Sequence, residues 1–285
     1  MSTPQPPTRQ AAPVWQAADP GYHSPIPVVR THLGHAIASE WTKIRSLRST
    51  MWTLGVFVLL VVGIGLLTGA MVASTDTDLN GQNPLPLGFF GLLLGGMCII
   101  TLGVLTTATE YGTGMIRTTM VACPSRGRVL AAKALVFFLV AFTVTLLSVT
   151  AVAFLHVSML GGNNAKEPTG GEWLKATVGI SLYLALLGTL SLALGSIVRH
   201  SAGAITLMVG VVLAPLVLAI FMLATSLESV HTFLLEYSIP NQMNIFYNNS
   251  LSTSGLSGWD PLWIMLGVTA VALGGAFFLL RERDV

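Results

Sequence analysis

Glu40, Lys43, Arg45 and Arg48 fall within the eleven residues EWTKIRSLRST, in a chain of which only 9% is charged. Such a cluster ahead of an apolar run has two uses. Its bases can anchor the chain against lipid phosphates, as in any membrane protein, or the set can recognise a partner through charge-assisted hydrogen bonds. An anchor has no use for Glu40, and both readings stay open. A second group lies in ATEYGTGMIRTTMVACPSRGRVLAAK, where Glu110, Tyr111, Arg117 and Thr118 precede Arg126, Arg128 and Lys133. Gly112 and Gly114 permit a turn, and the residues from Met115 to Val121 can close a short helix before Pro124 stops it. That stretch is either an ordinary positive loop or a helix presented to a partner. In the second case Glu40 and Glu110 accept hydrogen bonds from the partner or from the neighbouring basic segment, each worth roughly 1.5 to 3 kcal/mol.

Other chemistries find no residues to carry them. No GxxxxGK[ST] occurs, so the chain lacks the phosphate cradle of a P-loop ATPase. There is no HExxH or CxxC, and His23, His32, His35, His156, His200 and His231 show no ligand spacing, which excludes a metal site. In GLSG, at 255–258, no histidine follows Ser257 to serve as its base. Cys98 and Cys123 are too differently placed for a disulfide framework and read as free thiols. No catalytic residue is assigned.

The elements that must position these residues follow from composition. With 285 residues, 53% of them hydrophobic, and a mean hydropathy of +0.73, this is an integral membrane protein. Its net charge of +2 comes from bases scattered between apolar runs rather than spread over one face, which excludes a nucleic-acid partner. Residues 1–27 are rich in Pro, Ala and Gln without an apolar h-region, and read as a disordered cytoplasmic tail rather than a signal peptide. Residues 28–285 form one transmembrane domain with a short cytoplasmic C-terminus.

A crossing needs roughly 20 mostly apolar residues. Six stretches supply them, at about 52–73, 87–107, 130–157, 174–197, 203–224 and 261–280. Arg199 and His200 divide the longest run, and VRHSAG reads as a tight turn at the interface because a charge at the membrane centre costs at least ~2.5 kcal/mol. Twelve of the fourteen Lys and Arg residues then fall on one side, leaving Lys166 and Lys175 opposite, and the bias puts both termini in the cytoplasm. Within the spans almost nothing is ionisable, so the driving energy comes from outside the chain rather than from an ion path. Gly65 and Gly69, and Gly91 and Gly95, have GxxxG spacing, read as packing within the chain ahead of a dimer seam. Pro215 is expected to kink the fifth span.

Ahead of the first span, Leu33, Ile37, Trp41, Ile44, Leu47 and Met51 recur at steps of three and four, which predicts an amphipathic helix over 28–51 lying in the cytoplasmic interface. The fold class is therefore all-α: a polytopic membrane protein with six transmembrane helices and an N-terminal amphipathic interfacial helix.

EWTKIRSLRST before the first span, EYGTGMIRTT after the second and the basic RGRVLAAK make the chain beyond residue 30 similar to ABC-2 type permease subunits of ABC transporters, the actinobacterial type above all. The resemblance implies a permease in the bacterial plasma membrane, working as an exporter. Its partners would be a cytosolic ABC ATPase subunit, which holds the ATP and Mg²⁺, a second copy or a paralogous permease, and membrane lipids. No cofactor belongs to this chain, and it is not itself an enzyme. The resemblance makes Glu40, Lys43, Arg45 and Arg48, with the stretch from Glu110 to Thr119 that holds Tyr111, Arg117 and Thr118, the surface coupled to the ATPase. It also implies a long, partly helical, re-entrant outer connection, matched by residues 225–260. Thr101, Thr106 and Thr107 along an apolar pathway suit a hydrophobic or amphipathic cargo. The rival reading is a non-transporting sensor or assembly scaffold with a cytosolic partner.

Overall fold

Every regular element among the described residues is helical, the outcome that long apolar runs dictate, since a backbone in hydrocarbon must satisfy its own N–H and C=O groups. The computed structural model describes residues 32–75, 77–123, 125–222, 227–248 and 255–282. The expected tail at 1–27, the first residues of the expected interfacial helix and Pro124 lie outside them. The described residues all belong to the unit His32–Val285.

Helix α1 (Leu33–Ser46) ends with Lys43 and Arg45 in its last turn, where cations suit the negative end of the helix. The helix expected over 28–51 is divided at Leu47, whose backbone is extended (φ −79°, ψ 115°), and α2 (Arg48–Ser74) starts beyond it. A 3₁₀ turn at Leu85–Gly88 leads into α3 (Phe89–Gly112). Gly114, at φ +73°, turns the chain into α4 (Met115–Ala122), a left-handed step that glycine makes without strain. Then come α5 (Arg126–Leu160), and a run of α6 (Gly170–Leu174), a π-helical turn at Lys175–Gly179 and α7 (Ile180–Val198). Arg199 is left-handed at φ 58°, and His200 Nδ1 accepts the Gly203 N–H at 3.1 Å, which forms the tight turn expected at VRHSAG. Helix α8 (Ser201–Phe221), with Pro215 inside it, is followed by α9 (Glu228–Tyr237), α10 (Ile239–Ile245) and α11 (Asp260–Glu282). Among the described residues six runs are long and apolar enough to cross a membrane: Arg48–Ser74, Leu85–Gly112, Arg126–Leu160, Gly170–Val198, Ser201–Phe221 and Asp260–Glu282.

Helix α7 is the centre of the bundle, packed by α3, α5, α8 and α11, with Tyr183, Leu184, Leu187 and Leu192 wholly buried. Glycines set how near its neighbours come. A Cβ on Gly103 of α3 would run into the Gly188 carbonyl, and one on Gly195 would lie 2.6 Å from Thr107 Oγ1. The GxxxG pairs serve the same end. A Cβ at Gly65 would stand 2.6 Å from Val152 Cγ1, and one at Gly95 2.8 Å from Val61 Cγ2, so both seams close within the chain. His156 of α5, fully buried, donates from Nε2 to the Gly65 carbonyl at 2.7 Å and pins α5 to α2.

At one end of the bundle the loops after α2 and α5 pair through backbone bonds, Leu79 N–H to Asn163 O at 3.0 Å and Lys166 N–H to Gln82 O at 3.1 Å. Within the long connection before α11, every residue of α10 is buried. Two of its polar side chains are bonded: Gln242 accepts from the Tyr183 hydroxyl at 3.2 Å and donates to Tyr237 O at 2.9 Å, and Asn241 donates to Glu236 O at 3.1 Å.

Candidate coupling site

Four charged side chains meet at the other end. Helix α1 contributes Glu40 and Lys43, one turn apart; α3 contributes Glu110, in its last turn; α5 contributes Lys133, two turns inside its N-terminus. Lys43 Nζ lies 2.8 Å from Glu40 Oε1 and 2.9 Å from Glu110 Oε1. Lys133 Nζ lies 2.8 Å from Glu40 Oε2, 2.8 Å from Glu110 Oε1 and 3.3 Å from the Thr106 carbonyl. All three ammonium protons of Lys133 are thereby used.

The quartet is electrically neutral and nearly dry: Glu40 is 3% exposed, Lys133 3% and Glu110 6%. Burying such charges costs several kcal/mol per ion, and pairing them offsets most of that rather than adding much net stability. What the quartet supplies is geometry, since α1 is fixed only where both carboxylates find both ammonium groups. Glu110 sits at the C-terminal end of α3, where the helix's own partial negative charge opposes a carboxylate, so the lysines are what hold it. For Lys43, burial pulls the pKa down, but the hydrogen bonds and charges of Glu40 and Glu110 outweigh that and leave it above the ordinary lysine value.

The two acids expected on a docking surface are therefore turned inward. Of the two donors foreseen for them, the neighbouring basic segment supplies Lys133. The physical reason lies in the packing of α1 on α5, which directs Glu40 and Ile44 into the protein and leaves Leu33, Trp41 and Leu47 exposed. Arg45, Arg48, Arg117 and Thr118 remain at the surface. Helix α4 is held by Ile116, its one buried residue. Tyr111 is half-buried, with the Arg199 guanidinium 4.9 Å over its ring, and Arg126 donates to the Leu280 carbonyl at 2.6 Å. The ends of α3, α7 and α11 and the start of α5 thus converge where the basic segments gather.

The three threonines have separate fates. Thr101 and Thr106 give their hydroxyl protons to carbonyls of their own helix, Met97 at 2.8 Å and Leu102 at 2.7 Å. Thr107 is buried and donates across to Leu192 O of α7 at 3.0 Å, a packing contact between helices. Among the described residues no three His, Cys, Asp or Glu side chains converge where a metal ion could sit, and both cysteines are free thiols.

Lys133 is the member that sequence reasoning did not assign to the site. Its signal was present: a lysine flanked by Val129, Leu130, Ala132 and Ala134, inside an apolar helix, requires a carboxylate within reach.

No curated protein matches the chain. The family described as "ABC-2 family transporter protein" matches residues 37–285, a range that takes in every described helix from Glu40 and Lys43 onward. With that match and six apolar helices, the chain is a multi-pass membrane protein and belongs to the ABC-2 family of transporter proteins, as a transmembrane component of an ABC transporter.

Proposed function

We propose that this chain is the permease subunit of an exporter in the bacterial plasma membrane, paired with a second copy or a paralogous permease and driven by a separate cytosolic ATPase that holds ATP and Mg²⁺. Both termini face the cytoplasm in this reading. The cargo is hydrophobic or amphipathic, in keeping with spans that hold few charges. Helix α1 lies along the inner membrane surface with Leu33, Trp41 and Leu47 toward lipid, and the ATPase docks on Arg45, Arg48 and the exposed side of α4, with Arg117 and Thr118.

One observation carries this assignment: the buried quartet ties α1 to the ends of α3 and α5, and α4 follows Glu110 after a single glycine turn. A push on α1 or α4 then reaches two spanning helices through short, charge-assisted contacts instead of being lost in a loose loop. Glu40, Lys43, Glu110 and Lys133 transmit within the chain, and the exposed bases make the contact.

The test is co-reconstitution with a P-loop ATPase of this transporter class. Arg45→Glu together with Arg117→Glu should leave the thermal stability of the purified chain unchanged while removing co-purification of the ATPase and ATP-driven substrate movement. Full transport by that double variant, or movement of substrate by the chain without any ATPase, overturns the assignment.

A further inference from the structure

The break at Leu47 leaves the start of α2 without the partners that a continuous helix would supply. Leu47 makes no side-chain cap, and the first bond to close a turn runs from the Met51 N–H to the Leu47 carbonyl at 3.2 Å. The N–H groups of Arg48, Ser49 and Thr50 therefore have no acceptor within the helix. Together they form the positive end of a 27-residue helix, which favours an anion.

The side chain of Thr50 makes the same demand independently. Thr53, Thr106, Thr109 and Thr113 each give the hydroxyl proton to the carbonyl four residues back, at Ser49, Leu102, Leu105 and Thr109. For Thr50 that residue is Ser46, on the far side of the break. Its hydroxyl has no partner among the described residues, although Thr50 is only 7% exposed. A hydroxyl so buried needs an acceptor. Unlike Glu110 Oε2 and the Thr145 hydroxyl, it is not sealed off, because Thr50 lines a cavity of about 430 Å³ between α1, the start of α2 and the end of α3.

Ser49, whose hydroxyl is also ungiven, and Lys43 border the same cavity. Lys43 has two of its three N–H groups on Glu40 and Glu110 and a side chain 23% exposed, which keeps one for an acceptor. The charges of Glu40 and Glu110, which also border it, are already met by the two lysines. Exposed Arg45 and Arg48 alternate with lining residues along the chain. The remaining walls are apolar, at Ile44, Leu47, Leu102 and Leu105, and the volume is in the roughly 300 to 1,000 Å³ range of small-molecule sites.

We infer that this cavity binds the phosphate of an anionic phospholipid. The phosphate oxygens take the Thr50 and Ser49 hydroxyl protons, the third N–H of Lys43 and the free N–H groups at the start of α2, and the acyl-glycerol end rests on Ile44, Leu47, Leu102 and Leu105. A free phosphate would use the donors and leave those walls against water. A choline headgroup would bring a cation beside Lys43, Arg45 and Arg48, with no open carboxylate to receive it. A glycerol headgroup adds no charge and can donate to the hydroxyl lone pairs of Thr53, Thr109 and Thr113. This inference stands apart from the direction of transport and from the ATPase contact.

The probe is dioctanoyl phosphatidylglycerol, titrated into the delipidated full chain and followed by native mass spectrometry and thermal unfolding. It should bind about tenfold more tightly than dioctanoyl phosphatidylcholine or dioctanoylglycerol, which has the same tails without the phosphate. Thr50→Val keeps the shape of the side chain and removes its hydroxyl, and should weaken phosphatidylglycerol about tenfold while leaving dioctanoylglycerol unchanged. Thr50→Ser should restore the affinity, and Thr109→Trp, which fills the cavity from an exposed position, should remove it. All these variants retain Arg45 and Arg48, so wild-type affinity in both Thr50→Val and Thr109→Trp would mean that the lipid is held by surface charge alone, and would overturn the site. Inorganic phosphate at the same concentration should not raise the Tm. A rise equal to that given by the lipid, and lost in Thr50→Val, would assign a free anion and overturn the lipid.

Discussion

Lys133 and Glu40 stand 93 residues apart in sequence and 2.8 Å apart in space, both all but shut off from solvent. Through that one contact the helix before the first span is fixed to the third spanning helix. An amphipathic helix held only by lipid would slide or tilt, whereas one that must bury Glu40 against a buried lysine has a single seat.

Removing either partner should therefore be felt in folding before it is felt in function. Lys133→Met leaves Lys43 as the single cation between two nearly dry carboxylates, so one buried negative charge goes uncompensated, a loss of about 3 to 5 kcal/mol. Glu40→Ala, expected on a pure docking or anchoring view to leave the fold untouched, should instead destabilise the protein by a comparable amount. In the double variant Lys133→Met with Glu40→Ala, the loss should fall short of the sum of the two single losses, because each single change already breaks the shared contact. Thermal unfolding of the four proteins in one detergent measures this, and strict additivity would count against the quartet.

The pH response should come from Lys43. Its pKa is raised in the folded protein by two carboxylates that outweigh its burial, so its tie is fully present below the unfolded lysine value of about 10.4 and fades as pH climbs through the higher folded value. The stability gap between wild type and Lys43→Met should hold steady from about pH 6 to pH 9 and narrow only above about 10.4. A gap that changes near neutrality would mean that another group governs the site.

The six spanning runs were legible because hydrocarbon imposes length and apolarity together, and Arg199 with His200 marked the one ambiguous division. Which run is central was not legible. Helices α7 and α8 are both uncharged, yet α7 is the core while α8 is mostly uncovered, since lipid and protein interior both accept apolar side chains. Glycines do not separate the two cases, since α7 carries Gly188 and Gly195 and α8 carries Gly203 and Gly210, and which of them meets a neighbour becomes known only in three dimensions. The break at Leu47 was hidden because no Gly or Pro stands there and the three-and-four spacing runs straight through it. Glu40 and Glu110 were found by their oddity in basic surroundings, but their direction was not, because a carboxylate seeking a lysine and one seeking a partner protein look alike in one dimension. Lys133 was counted among topology signals because bases beside spans so often are.

The orientation itself is open to direct measurement. The basic segments before α2, around α4 and after α11 are expected on the cytoplasmic side, and Arg126 touching Leu280 and Arg199 over Tyr111 bring them to one end of the bundle. Gln82 and Thr118 are exposed at opposite ends. Asn80 is the less suitable probe, because its φ of 48° is left-handed and a cysteine there would be strained. With Cys98 and Cys123 replaced by alanine, Gln82→Cys should react with an impermeant maleimide added to intact cells, and Thr118→Cys should react only after the membrane is opened. Gln82 should tolerate the change, since the hydrogen bonds at that position are made by the backbone: its carbonyl receives the Lys166 N–H and its N–H donates to Leu79 O. Labelling of Thr118→Cys from outside would place α4 beyond the reach of any cytosolic ATPase, and the quartet would then brace the bundle without transmitting anything to it.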